Sequence, residues 1–112
     1  MNILVVDDDE GICDTMEDIL EERHHLVKTA NTGRDAIDIA KKCSFDLILM
    51  DMKMPKINGL DAYRIMKINN PSIKVIFMTA YATEELIEQS KRDGFEIIYK
   101  PVNMSKLINE LN

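Results

Sequence analysis

Unbroken apolar runs that end on polar residues set the pattern of this chain. Ile3-Leu4-Val5-Val6 runs into Asp7-Asp8-Asp9, and Leu47-Ile48-Leu49-Met50 runs into Asp51. Four apolar residues in succession mark a strand covered on both faces, as inside a parallel sheet. The pattern predicts strands over Asn2–Val6 and Asp46–Met50, a further one over Lys74–Met78, and a short one over Glu96–Tyr99. Leu26–Ala30 instead alternates apolar with polar residues, which suits an edge strand. The stretches between them carry helical spacing. Ile12, Met16, Ile19 and Leu20 give one apolar face to a helix over Glu10–Glu22, with Asp9 as its N-cap. Ala36, Ile37 and Ala40 mark a second helix ending near Cys43. Leu60, Tyr63 and Met66 line a third, which stops before Asn69-Asn70-Pro71. A fourth starts at Thr83-Glu84-Glu85 and reaches about Arg92, with Gly94 just past its end. Met104, Leu107, Ile108 and Leu111 define a fifth. Five alternations of strand and helix with short connections predict an α/β fold. The sheet is doubly wound, five-stranded and parallel, with right-handed crossovers and helices on both faces.

Composition narrows this only slightly. A length of 112 residues suits one domain over 1–112 with a single core. A hydrophobic share of 46% and a charged share of 30% describe an ordinary globular chain. The net charge of -6 argues against a broad nucleic-acid footprint, which needs a basic face. Cys13 and Cys43 fall at no metal-ligand spacing and read as small, half-buried side chains in a reducing compartment. No apolar run approaches membrane-spanning length, and residues 1–15 are acidic where a leader would be basic, so a cytoplasmic location is expected.

The chemistry gathers where the strands end. In such a sheet the carboxyl ends of strands 1, 3, 4 and 5 share one edge, where open α/β folds bind ligands. This chain puts Asp7 and Asp8, Asp51, Thr79 and Lys100 there. Each has an ordinary structural use, as cap, turn residue or solvated lysine, but their convergence on one edge points to a site. Clustered carboxylates repel unless protons or a cation relieve them. Hard oxygen ligands, few of them from protein, favour Mg²⁺. An aspartate such as Asp51 can attack phosphorus and form an aspartyl-phosphate. Lys100 offers a point cation and Thr79 a hydroxyl donor for the phosphoryl oxygens. No histidine lies near these ends; His24 and His25 belong to the turn before strand 2 and are expected to be solvated.

Leu4-Val5-Val6-Asp7-Asp8, Asp51-Met52-Lys53-Met54-Pro55 with Asn58-Gly59, Met78-Thr79-Ala80 and Lys100-Pro101 stand in order along the chain. With these four motifs the sequence resembles the receiver domain of two-component response regulators over essentially its whole length. The resemblance implies a flavodoxin-like strand order 2-1-3-4-5. It implies that Asp51 accepts a phosphoryl group from a phosphohistidine, with Asp8 binding Mg²⁺ directly and Asp7 chiefly through water. The Lys53 main-chain carbonyl would complete the metal set, and Thr79 and Lys100 would contact the phosphoryl group. Its partners would be a histidine kinase or a histidine phosphotransfer protein, with no direct contact to nucleic acid or membrane and at most a weak dimer. The domain would not be an independent enzyme beyond its own phosphorylation and slow dephosphorylation. Lys53 with Thr79-Ala80-Tyr81 looks most like the single-domain phosphorelay type.

Three departures stand out. The aromatic expected three residues before the lysine is Ile97 here, the Gly94–Lys100 segment looks one residue short, and the last helix is brief, which would suit a receiver cut from a longer protein. A haloacid-dehalogenase-type phosphatase would need a second acid two residues after Asp51, where Lys53 stands. A flavodoxin-like cofactor module would need a glycine-rich phosphate loop where Asp7-Asp8-Asp9 would repel phosphate. The remaining alternative is a phosphorylation-independent interaction module built on the same fold.

Overall fold

A computed structural model of the chain describes residues 1–111. The strands are β1 (Asn2–Val6), β2 (Leu26–Ala30), β3 (Leu47–Asp51), β4 (Val75–Thr79) and β5 (Glu96–Tyr99). They alternate with α1 (Glu10–Glu22), α2 (Gly33–Lys42), α3 (Gly59–Asn69), α4 (Glu84–Asp93) and α5 (Met104–Leu111). All strand pairs are parallel, in the order β2-β1-β3-β4-β5, as the apolar pattern and the resemblance together require.

Side-chain parity divides the core between the two faces of this sheet. Ile3, Val5, Leu47, Leu49, Ile76 and Met78 pack with Cys13, Met16 and Leu20 of α1 and with Leu107 and Ile108 of α5. Leu4, Val6, Ile48, Met50, Val75 and Phe77 pack with Ala36 and Ile37 of α2 and with Ala62, Tyr63 and Met66 of α3. A fully buried side chain of this size contributes about 1.5–3 kcal/mol, so the central strands dominate stability. On the second face Tyr63, Phe77 and Phe95 meet edge to face, their centroids 4.9–5.5 Å apart. No residue of α4 is buried, so that helix is held far more lightly.

Each helix start is fixed by a short polar side chain. Asp9 Oδ1 accepts from the Gly11 N–H at 2.9 Å, Thr32 caps α2, Asn58 caps α3 and Thr83 caps α4. Such caps contribute about 1 kcal/mol each. Gly94 ends α4 in the left-handed region at φ 80°, as its position predicts.

Four expectations need correction. Strands 3 and 4 sit one residue later than the pattern places them. Asp51 pairs with Met78 and Thr79 with Tyr99 in the ladder, because a polar residue can close a buried strand when its side chain looks out over the edge. Cys13 is fully buried rather than half-buried. His25 is buried as well, because His24 takes φ 69° after α1 and turns the chain inward.

Candidate functional site at the carboxyl edge of the sheet

Parity also aims the acids. Asp7 continues the Ile3, Val5 series and Asp51 the Leu47, Leu49 series, both on the α1 and α5 face of adjacent strands. The two side chains are buried, while Asp8 is exposed one residue farther on. One oxygen from each of Asp7, Asp8 and Asp51 falls within 4.8 Å of the others.

Lys100 follows β5 and its N–H donates to the Thr79 carbonyl at 2.8 Å, which anchors it beside β4. Its ammonium Nζ donates to Asp7 Oδ2 at 3.0 Å and lies 3.4 Å from Asp51 Oδ2. One cation therefore serves two carboxylates. The other Asp7 oxygen accepts from the Asp9 N–H at 3.0 Å, and Asp51 Oδ1 accepts from the Lys53 N–H at 3.4 Å. Burial, then the charge of Asp7, push the Asp51 carboxyl above its ordinary range, with Lys100 and the Lys53 N–H pulling the other way. Burial also works against the Lys100 ammonium, but its hydrogen bond to Asp7 and the charges of Asp51 and Asp7 outweigh it and hold its pKa above the usual lysine value.

The chain is built tightly under Asp51. A side chain at Gly59 would run into the Asp51 carbonyl, and the Gly59 N–H instead donates to the Met52 carbonyl at 2.9 Å. Glycine is the residue that lets α3 start so close to the end of β3.

Thr79 stands at the same edge with the opposite parity. Its hydroxyl donates to the Tyr81 carbonyl at 2.9 Å and accepts from the Tyr81 N–H at 3.3 Å, so it is engaged by the loop after β4 rather than by Asp51 or Lys100. Thus Asp7, Asp8, Asp51 and Lys100 form one cluster, the Lys53 peptide abuts it, and Thr79 lies alongside with its hydroxyl turned away.

Two residues with no chemical signature in the sequence also belong here. Asn31 Nδ2 donates to the Asp7 carbonyl at 3.1 Å, and Cys13 Sγ reaches the same oxygen at 3.4 Å. The position of Asn31 at the carboxyl end of β2, on the shared edge, is the signal that could have found it.

The donor set suits a small hard cation: carboxylate oxygens alone, gathered from two strand ends, with Asp8 free to face water. Such an ion would relieve the repulsion that raises Asp51. Next to the cluster a cavity of about 780 Å³ opens between α1 and the start of α5, lined by Ile12, Met16, Met78, Lys100, Val102 and Met104.

A family profile described as the response regulator receiver domain matches residues 3–112. The chain belongs to this family. Among curated relatives, the receiver is 37% identical over 92 residues to sporulation initiation phosphotransferase F of Bacillus subtilis, covering 82% of this chain and 74% of that protein. It is 34% identical over 108 residues to the transcriptional regulatory protein ZraR of Klebsiella oxytoca, covering 96% of this chain and 24% of that one. The chain thus spans about a quarter of the length of such regulators. Among solved structures, a CheY-like receiver domain protein from Methanospirillum hungatei JF-1 superposes with a TM-score of 0.91 at 32% identity, covering 98% of this chain and 89% of that one. Chemotaxis protein CheY4 of Vibrio cholerae gives 0.90 at 26% identity, covering 98% and 94%. Among the described residues, no helix is long and apolar enough to cross a membrane.

Proposed function

We propose that this receiver takes a phosphoryl group from a phosphohistidine onto Asp51 and passes the signal to a downstream partner. The observation that carries the reading is the Lys100 ammonium held between Asp7 and Asp51 beside a third carboxylate. A cation placed there can meet phosphoryl oxygens as they arrive at Asp51. An Asp51 oxygen attacks phosphorus, a P–O bond forms, the P–N bond breaks, and the imidazole leaves with the electron pair. Burial strips water from the nucleophile and raises its pKa, and Lys100 pulls the other way, favouring the ionised carboxylate that attacks. Lys100 then swings its point charge between carboxylate and phosphoryl oxygens without changing protonation. Asp7, Asp8, Asp51 and the Lys53 carbonyl would hold Mg²⁺, which when bound supplies positive charge to the phosphoryl oxygens. For Thr79 to donate to the phosphoryl group its hydroxyl must leave the Tyr81 carbonyl, which ties occupancy of the site to the loop after β4.

The groove between α1 and α5 lies directly beside Lys100 and would receive the segment of a histidine kinase or phosphotransfer protein that carries the phosphohistidine. The likeness to a phosphotransferase of sporulation supports a phosphorelay role over a purely structural one. Incubation with acetyl phosphate and Mg²⁺, read by intact mass, is expected to add one phosphoryl group to the wild-type protein and none to Asp51→Asn. Equal labelling of that variant, or labelling unaffected by EDTA, would refute the reading.

A further inference from the structure

We propose that Asn31 is a positioning residue for the acidic cluster, acting through the Asp7–Asp8 peptide; the inference rests on the Mg²⁺ reading above. Asp8 is exposed, and no hydrogen bond fixes its carboxylate among the described residues. Its direction is therefore set by the backbone that delivers it. That backbone is gripped at the Asp7 carbonyl, the oxygen of the peptide leading into Asp8. Asn31 Nδ2 donates to it at 3.1 Å, Cys13 Sγ at 3.4 Å, and the Asp7 N–H is held by the Ala30 carbonyl at 3.1 Å.

The orientation of the Asn31 amide follows from its partners. Asp7 offers a carbonyl oxygen, which only accepts, so the NH₂ group must face it. The second amide hydrogen has the Cys13 sulfur at 3.6 Å, and the Cys13 thiol has the Asp7 carbonyl as its nearer acceptor at 3.4 Å, with the Ala30 carbonyl at 3.8 Å. The Asp7 carbonyl thus has two donors within reach, the Asn31 amide and the Cys13 thiol, on a buried strand end. Asn31 directly follows β2, two strands away from Asp51, and among the described residues its hydrogen bond to the cluster is the one to this carbonyl. Its effect on a bound cation is thus exerted through the angle at which Asp8 is presented. Groups that orient ligands in this way commonly change metal affinity by about tenfold or more when removed.

Charge separates this role from a through-space one. Asn31→Asp keeps the side-chain shape, replaces the donor with an acceptor, and adds a negative charge near the cation. A purely electrostatic effect would tighten Mg²⁺ binding, whereas loss of the grip on Asp7 weakens it. The test is a Mg²⁺ titration of the unphosphorylated protein followed by backbone amide shifts, with melting temperature measured in EDTA. Asn31→Ala and Asn31→Asp are each expected to weaken Mg²⁺ binding about tenfold, with only a small drop in metal-free melting temperature. Cys13→Ser, which keeps a donor at that point, should hold wild-type affinity, and Cys13→Ala should lose part of it. Unchanged affinity in Asn31→Ala, or tighter binding in Asn31→Asp, overturns the proposal alone. Failure of both Asn31 variants to fold overturns it too, because the contact would then be structural. Absence of Mg²⁺-dependent shifts in the wild-type protein overturns the metal reading and this proposal together.

Discussion

Asp51 Oδ2 lies 3.4 Å from Lys100 Nζ, yet the same nitrogen is closer to Asp7 Oδ2, at 3.0 Å. Asp51 therefore receives the weaker share of the one nearby cation while bearing the full effect of burial and of Asp7. An acid whose pKa is higher folded than unfolded binds protons on folding, so stability falls as pH rises through that window, upward from the ordinary aspartate value of 3.8. Asp51→Asn removes this cost. In EDTA at neutral pH it is expected to melt higher than wild type, by roughly 4–8 °C if the relief is about 1 kcal/mol. The advantage should vanish below the ordinary aspartate range, where both forms are neutral. A variant that melts lower at neutral pH would show that the Lys100 pairing outweighs burial.

Asp8 is expected to matter for metal and not for folding. It is exposed, and its removal takes one charge from a crowded trio. Asp8→Ala should match or exceed wild-type melting temperature in metal-free buffer and lose Mg²⁺-dependent phosphorylation. A fall of more than a few degrees without metal would contradict the repulsion argument.

His24 closes α1 in a conformation that suits glycine. The His24 N–H donates to the Glu21 carbonyl at 2.9 Å and the His25 N–H to the Leu20 carbonyl at 3.3 Å, the paired bonds of a helix end that places its turning residue in the left-handed region. At φ 69° a histidine carries steric strain that glycine lacks. His24→Gly should raise stability by about 0.5–1 kcal/mol, the strain relief exceeding the added chain entropy. Urea unfolding measures it, and a lower midpoint at unchanged slope would show that the imidazole makes a contact worth more than the strain.

Lys53 and Tyr81 are both exposed, Tyr81 at 74%, and stand on the two loops beside Asp51 and Thr79. In receivers, side chains at these positions flank the path of an attacking water. Neither side chain carries a carboxylate or an imidazole to draw a proton from that water, so the phosphorylated form should be long-lived for this class. Lys53→Asn combined with Tyr81→Glu should shorten the lifetime several-fold, followed as loss of phosphoprotein by mass after desalting. An equal or longer lifetime would remove these side chains from the account.

Ile97 packs inward already. It rests against the core cluster that contains Phe77, Phe95 and Tyr63, and as a β-branched side chain it has little rotamer freedom. Tyr99, two residues nearer the edge, is 53% exposed. Phosphorylation is therefore expected to alter the loop after β4, through Thr79, more than β5 and α5. Backbone NMR with and without beryllofluoride compares the two regions. Large shifts along β5 and α5, or a switch to a tight dimer, would show that another residue has taken the aromatic's part.

The fold was legible because its causes are local. Apolar runs of four define strands covered on both faces, apolar residues at helical spacing define their covers, and Asp9 and Thr83-Glu84-Glu85 announce where α1 and α4 start. The acids at the strand ends were legible for the same reason, since a parallel sheet brings all carboxyl ends to one edge. Distances and orientations were not. That Lys100 sits closer to Asp7 than to Asp51, that the Thr79 hydroxyl turns to Tyr81, and that β3 and β4 extend to Asp51 and Thr79 follow from how neighbouring strands twist and pair. Asn31 and Cys13 show the limit most clearly. Only the place of Asn31 at the carboxyl end of β2 hints at a role, and nothing along the chain pairs either residue with Asp7, 24 and 6 residues away. His25 likewise reads as a turn residue until α1 ends in the left-handed region and carries it inward. Periodicity and strand direction are properties of short stretches, so the order of residues along the chain suffices to set which elements form and which edge collects the charge. Which donor meets which acceptor there depends on packing among residues far apart in the chain, because a hydrogen bond is won or lost over less than an ångström.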